Sequence, residues 1–361
     1  RFSRAQRWWA EVVRSADVHD AVHLNGSGIA AFISFAFEPG RSVVVIPNVI
    51  VGRRDGVTWV TVISRPDEAQ IDPRLLFDTR PPAPPTGAVL WEEGTQPATK
   101  WQRAVADAVE RIHRGEVDKV VLARDIVARS TQPLDIRHLL NRLSRRYGEC
   151  WAFAVDGLVG ATPELLVRRR GDMVTSRVLA GTIRRGKDQS ADEGLAHELL
   201  ASDKDREEHE YAVTSVAEAL AAHCTDLDVP EEPRLLRLAN VQHLATDVNG
   251  RLADEVPVLS LAASLHPTAA VCGTPTQRAW NMIRALEGMD RGRYAGPVGW
   301  MDAHGDGELG IALRCGEIDG DDPYRIRLFA GCGLVAGSDP VAELAETNAK
   351  LEPMRYALGS D

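Results

Sequence analysis

Strand and helix signals in this chain come in clusters rather than in strict alternation, and that grouping limits the possible folds more than any other feature. Near the C-terminus three β patterns, at residues 293–301, 308–318 and 324–330, follow one another with no helical pattern between them. The N-terminal third does the same. After an amphipathic segment at 1–13 that carries Trp8 and Trp9, the stretches 28–37, 42–51 and 57–63 are rich in Val, Ile and Phe and predict a meander of antiparallel strands. Helical periodicity keeps to its own blocks: 98–114, where Trp101, Val105, Ala108, Val109 and Ile112 form a stripe that Gly115 ends, then 136–147, 192–222, 275–286 and a last helix from Pro340. Such grouping favours an α+β fold with a large antiparallel sheet over a doubly wound one. The run Arg80-Pro81-Pro82-Ala83-Pro84-Pro85 fits neither a helix nor a sheet interior. It predicts a loop between an N-terminal strand-rich part, 1–80, and a main part, 98–358.

With 361 residues, 44% of them hydrophobic, the chain can bury a large core, and no run of eighteen uncharged apolar residues exists to cross a membrane. The first residues lack the apolar centre of a secretory signal. Five cysteines (Cys150, Cys224, Cys272, Cys315, Cys332) without a Cys-x-x-Cys pair suit a reducing cytoplasm and argue against structural zinc. A formal charge of −10 disfavours nucleic acid as a partner, because phosphates are bound by dense Lys and Arg. The local exceptions, Arg168-Arg169-Arg170 and Arg184-Arg185, read as solvated strand ends.

Two helices carry candidate chemistry. The glycine-rich turn at 330–339 opens the last one, with Ser338 or Asp339 as its cap and Pro340 in its first turn. Glu343, Glu346 and Lys350 then fall on one face. The run Ser202-Asp203-Lys204-Asp205-Arg206-Glu207-Glu208-His209 begins another, capped by Ser202 or Asp203, with Asp205 and Glu208 three apart. Each set alone reads as solvated helix surface. Facing one cavity, they would supply four carboxylates, and Mg²⁺ is the cation that takes few carboxylates together with waters and an anionic substrate. His209 and His243 read as structural or supporting groups, since a hard cation prefers oxygen. Lys119 shares a strand face with Val121, Ala123 and Asp125. It is either an edge-strand lysine that reaches outward or a desolvated one able to act as a base in its free-amine form.

Nine ordered motifs resemble the chorismate-utilising enzymes, and within that family the isochorismate synthases most of all. They are Lys119-Val-Val-Leu-Ala-Arg124, Ala161-Thr-Pro-Glu164, Leu179-Ala-Gly-Thr182, Lys204 through His209, Val241-Gln-His243-Leu, Leu265-His-Pro-Thr-Ala-Ala270, Gly296-Pro-Val-Gly-Trp300, Ile311-Ala-Leu-Arg314, and Ala330-Gly-Cys-Gly333 through Glu346 and Lys350. The resemblance implies a single α+β catalytic domain with two large antiparallel sheets packed face to face, helices outside and the site in a cleft. It implies Mg²⁺ held by Glu208 and Glu346, directly or with Asp205 and Glu343 through water, gripping the ring carboxylate of chorismate. Arg314, Tyr294, Gly331 and Gly333 would receive the enolpyruvyl carboxylate; Gly181, Thr182, His243 and Ala270 would border the ring and its arm, and Lys350 would lie beside the carboxylates. Lys119 would be the base and Glu164 the acid that convert chorismate to isochorismate, with no organic cofactor, in a cytoplasmic monomer serving menaquinone or siderophore synthesis.

Relatives with other products differ at few positions. Gln replaces the Lys119 equivalent in anthranilate synthases, and a lysine stands at the Ala180 place in aminodeoxychorismate synthases. Salicylate synthases keep the lysine, have Thr where Ala270 stands and Tyr where Tyr294 does. A salicylate-forming enzyme and a non-catalytic chorismate-binding protein are therefore the alternatives.

Overall fold

The computed structural model describes residues 1–68, 71–76 and 81–359. It opens with α1 (Phe2–Ser15), β1 (Ala30–Ser34), β2 (Val43–Val45) and the hairpin of β3 (Val49–Arg54) and β4 (Val57–Val62). Next come β5 (Val89–Glu93), α2 (Ala98–His113), the long β6 (Lys119–Ser130) and α3 (Ile136–Arg146). A strand block follows: β7 (Trp151–Val155), β8 (Leu158–Thr162), β9 (Leu165–Arg170) and β10 (Met173–Arg184). Helices α4 (Gln189–Ala201) and α5 (Asp203–Ala221) lead to β11 (Cys224–Asp228), β12 (Arg234–Arg237) and β13 (Val241–Leu252). After α6 (Val258–Leu265), β14 (Gly273–Thr274) and α7 (Thr276–Leu286), the chain closes with β15 (Pro297–Asp302), β16 (Gly307–Ile311), β17 (Cys315–Ile318), β18 (Arg325–Leu334) and α8 (Pro340–Ala357).

Every strand pairing among the described residues is antiparallel, as the grouping of strands requires. One sheet runs β11-β13-β10-β9-β16-β15-β1-β2, with β12 also on β13; the other runs β14-β6-β18-β17-β8-β7, with β5 also on β6. A continuous apolar core joins them, taking Ile33 from β1, Leu122 from β6, Val174 from β10 and Phe329 from β18. Each such buried side chain contributes roughly 1.5–3 kcal/mol of transfer free energy. Helices cover the sheets: α5 and α6 lie on β9, β10 and β13, while α2, α3, α7 and α8 lie on the second sheet. The stripe read in α2 is the buried one, and the Trp101 indole donates to the Ala123 carbonyl at 3.0 Å.

Several sequence-based expectations change. The N-terminal strands form no single meander: 42–51 is broken at Ile46-Pro47-Asn48, so that β1 and β2 join the large sheet while β3 and β4 form a separate hairpin. Residues 308–318 are two strands in two different sheets, β16 and β17. Arg169 is buried and pairs with Asp306 at 3.1 Å, so it is not a solvated strand end. Of the proline-rich run, residue 80 lies outside the described residues, and 81–87 carry neither helix nor strand. The strands β5, β11 and β14 and the helix α6 had no counterpart in the sequence reading.

Candidate active site

Two of the chain's passages from one sheet to the other lie side by side, and both put an ionisable side chain into the space between the sheets. Pro163 and Glu164 link β8 to β9; Ala312, Leu313 and Arg314 link β16 to β17. The two links are stitched together, since Ile311 N–H donates to the Glu164 carbonyl at 3.1 Å and Ala161 N–H to the Arg314 carbonyl at 3.3 Å. Arg314 is held at φ 49°, a left-handed conformation that costs a non-glycine residue about 1–3 kcal/mol. Its guanidinium is thereby turned into a cavity lined also by Glu164, Gly181, Thr182, Glu208, His243, Ala270, Tyr294, Gly331, Gly333 and Lys350. Those residues come from nine separate segments of the sequence.

Local backbone features shape the cavity. Gly181 sits in a β-bulge of β10 at φ 73°, which shifts the register so that Thr182 pairs with His243. Gly333 of β18 leaves room for α5: a Cβ there would lie 2.0 Å from Glu208 Oε1. Both helix caps are resolved. Ser202 Oγ accepts from Asp205 N–H, and Asp339 accepts from the N–H groups of Val341 and Ala342.

Lys119 is 0% exposed, on an inner strand, so the edge-strand alternative falls. Its Nζ stands 3.3 Å from Glu208 Oε1 and donates to the Glu208 carbonyl at 3.2 Å. Burial pushes the Glu164 carboxyl up to about 8, against the partial pull of Lys119, Arg314 and Lys350, so it is protonated at neutral pH. Burial also pushes Glu208 up, but Lys119, Lys350 and Lys204 outweigh it and hold the carboxyl below its ordinary range. Arg314 Nη2 donates to His243 Nε2 at 3.1 Å. Because a guanidinium only donates, Nε2 must be the bare nitrogen, which leaves the proton on Nδ1 beside Thr182 Oγ1 at 3.0 Å and the Gly181 carbonyl at 3.3 Å. Burial and the adjacent Arg314 keep His243 neutral, far below its ordinary value. Tyr294 stacks on Phe329 with ring centroids 5.1 Å apart, and burial raises its phenol.

The four helix carboxylates gather behind the cavity, where only Glu208 lines it. Lys204 Nζ lies 2.6 Å from Glu343 Oε1 and Lys350 Nζ 2.5 Å from Glu346 Oε1, while Ser202 donates to Asp205. Among the described residues, no three His, Cys, Asp or Glu side chains stand close enough to enclose a metal ion as they are. The set nonetheless suits a hard cation: every candidate ligand is oxygen, and Glu343 Oε2 is buried with no hydrogen-bond partner. Burial, then the nearby Glu346, push the Glu343 carboxyl up, a sign of negative charge gathered in one place. His209 stands apart as a core group; its Nε2 lies 2.8 Å from Thr246 Oγ1, and burial lowers it to about 4.

Sequence reasoning missed the apolar wall formed by Val121, Pro163, Leu179, Val271 and Leu313, and it missed Arg291. That arginine is buried in a two-pronged pair with Glu287 and donates to the carbonyls of Val271 and Val121. The Glu287/Arg291 spacing of four was a signal, though it reads equally as a solvated helix-end pair.

Comparison with known proteins places these features in context. The family model described as chorismate binding enzyme matches residues 1–359. The isochorismate synthase DhbC of Bacillus subtilis is 36% identical over 363 residues, which cover 97% of this chain and 90% of that protein. The salicylate biosynthesis isochorismate synthase of Pseudomonas aeruginosa is 41% identical over 285 residues, 78% of this chain and 59% of that one. The solved structure of MenF, the menaquinone-specific isochorismate synthase of Escherichia coli, superposes with a TM-score of 0.81 at 28% identity, covering 99% of this chain and 82% of MenF.

Proposed function

Because this chain belongs to the chorismate binding enzyme family, we propose that it isomerises chorismate to isochorismate, adding water at ring C2 with loss of the C4 hydroxyl. The observation that carries the reading is a buried carboxyl, Glu164, that keeps its proton to about pH 8 in a cavity whose wall includes Glu208, and behind Glu208 stands its partner, the buried Lys119. A neutral carboxylic acid is what a departing hydroxyl needs. In this reading Lys119 first loses to solvent the proton that pairs it with Glu208 in the resting chain; as the free amine it then takes a proton from the water that attacks C2, and Glu164 gives its proton to the C4 oxygen. The substrate is a dianion, and the cavity offers Arg314, oriented by neutral His243, together with Lys350. Tyr294, Gly331 and Gly333 would receive the enolpyruvyl carboxylate, with Gly181 and Thr182 at the ring.

Glu208 and Glu346 would hold Mg²⁺, with Asp205 and Glu343 acting through water. When bound, the ion supplies positive charge for the ring carboxylate. Incubating the protein with chorismate and Mg²⁺, then separating the products, tests the reading. Isochorismate in balance with chorismate supports it, and unchanged chorismate sinks it.

A second reading, salicylate formation, is favoured by Tyr294 in the cavity wall. Pyruvate elimination needs the enolpyruvyl arm to fold over the ring, so that the C2 hydrogen passes to the methylene carbon as the C3–O bond breaks. Ala270 lines the same wall and has no hydroxyl to bias the arm. Isochorismate is therefore the expected main product. Ala270→Thr should raise the salicylate fraction, since one or two added heavy atoms shift such a balance by on the order of 1 kcal/mol. Salicylate fluorescence, with Tyr294→Phe run alongside, decides between the two. Dominant salicylate from the native chain would make Tyr294 the better guide.

A further inference from the structure

Four carboxylates and three ammonium groups meet where α5 approaches α8, and the ammonium groups are shared out one to each of three carboxylates. Lys119 faces Glu208, Lys204 faces Glu343 and Lys350 faces Glu346, while Asp205 has only the Ser202 hydroxyl. The cluster thus carries a single net negative charge when all seven groups are ionised. Lys119 and Lys350 have other work in the proposed reaction, and Lys350 also donates to the Gly331 carbonyl at 3.0 Å. Lys204 has none. It does not line the cavity, its side chain is 30% exposed, and its partner Glu343 is 1% exposed. Without Lys204, Glu343 would be a buried carboxylate near Glu346 and Glu208 with no cation of its own.

We propose that Lys204 is the resting counter-ion of the cation site: its ammonium neutralises Glu343 in the metal-free protein, so that α5 and α8 can dock, and it keeps the empty cluster close to neutral. A dication alone is then held weakly, and firm binding requires the negative charge of the substrate as well. This inference rests on the reading of the four carboxylates as an Mg²⁺ site.

The alternative role for Lys204 is to orient Glu343 for the metal, and the two roles predict opposite effects of removing the ammonium. A counter-ion competes with the incoming cation, so Lys204→Met should bind Mg²⁺ about 5- to 30-fold tighter in a calorimetric titration without substrate. In chelator the variant should melt about 3–6 °C below the parent. Saturating Mg²⁺ should close at least half of that gap. Lys204→Arg should match the parent in both measurements. The double variant Lys204→Met/Glu343→Gln removes both charges and should recover the parent melting temperature in chelator, which keeps the test open should the single variant fail to fold there. Weaker or unchanged Mg²⁺ binding by a folded Lys204→Met protein overturns the proposal. So does a melting gap that is equal with and without metal, or a double variant that stays destabilised. A parent that binds no Mg²⁺ even with chorismate present overturns the underlying site reading instead, and the counter-ion role with it.

Discussion

At the scale of single residues, Glu164 ties stability to activity with opposite signs. Its carboxyl holds a proton to about pH 8 in the fold, while in the unfolded chain it ionises near its ordinary value of 4.5. Between those limits the folded state binds more protons than the unfolded one, so stability falls as pH rises from about 4.5 to about 8 and then levels. Glu164→Gln removes that loss. The variant should melt above the parent by a margin that grows from pH 5 to pH 8, although its rate drops by about two to four orders of magnitude. Thermal melts across that range check the first half, and a margin independent of pH contradicts it. The parent rate should decline on the alkaline side near pH 8 as the acid is lost. Lys119→Ala should lose a similar factor in rate with less change in binding; full turnover would move water activation to another group, His243 being next to consider. Both residues were legible in the sequence, Lys119 from its strand face and Glu164 from its motif. Their burial was not, because it depends on which sheet each neighbouring strand joins. Arg291 was illegible for the same reason: its partners Val121, Val271 and Glu287 are distant or ambiguous in sequence.

At the scale of elements, the last two helices were read well, since caps, glycines and helical spacing are local signals. The cap at Asp339 and the face shared by Glu343, Glu346 and Lys350 needed no tertiary information. The break inside 308–318 did. Ala312 to Arg314 looks like continuous strand, and only the demand to pass from one sheet to the other forces Arg314 to φ 49°. Gly181 is similar, because its bulge is defined by the register against β13. The close approach of β18 to α5 yields a prediction at this scale. Gly333→Ala puts a methyl group where Glu208 Oε1 now lies, so Glu208 must leave Lys119. Turnover should fall by at least tenfold while circular dichroism stays that of the parent. Undiminished turnover would mean that the Lys119–Glu208 contact has no part in the reaction.

At the scale of the molecule, the site exists because two antiparallel sheets share one core and two of the chain's passages between them are adjacent. Clustered strand signals made the fold class legible, and the ordered motifs made the family so. The assignment of each strand to its sheet was not legible, because pairing between strands far apart in sequence leaves no local pattern. Two helices far apart in sequence bring acidic pairs together behind the cavity, which leads to an expected metal requirement: exhaustive chelation should abolish turnover and added Mg²⁺ restore it. Full activity after chelation would remove the four carboxylates from the mechanism. The claim beneath all of this is that solvent water attacks C2 while the C4 hydroxyl leaves. It is tested most directly by running the reaction in water enriched in oxygen-18 and locating the label by mass spectrometry of the early product. Isochorismate carrying one heavy oxygen at C2 is the expected result. Isochorismate without label would mean that the hydroxyl migrates within the substrate, and the roles given to Lys119 and Glu164 would be wrong.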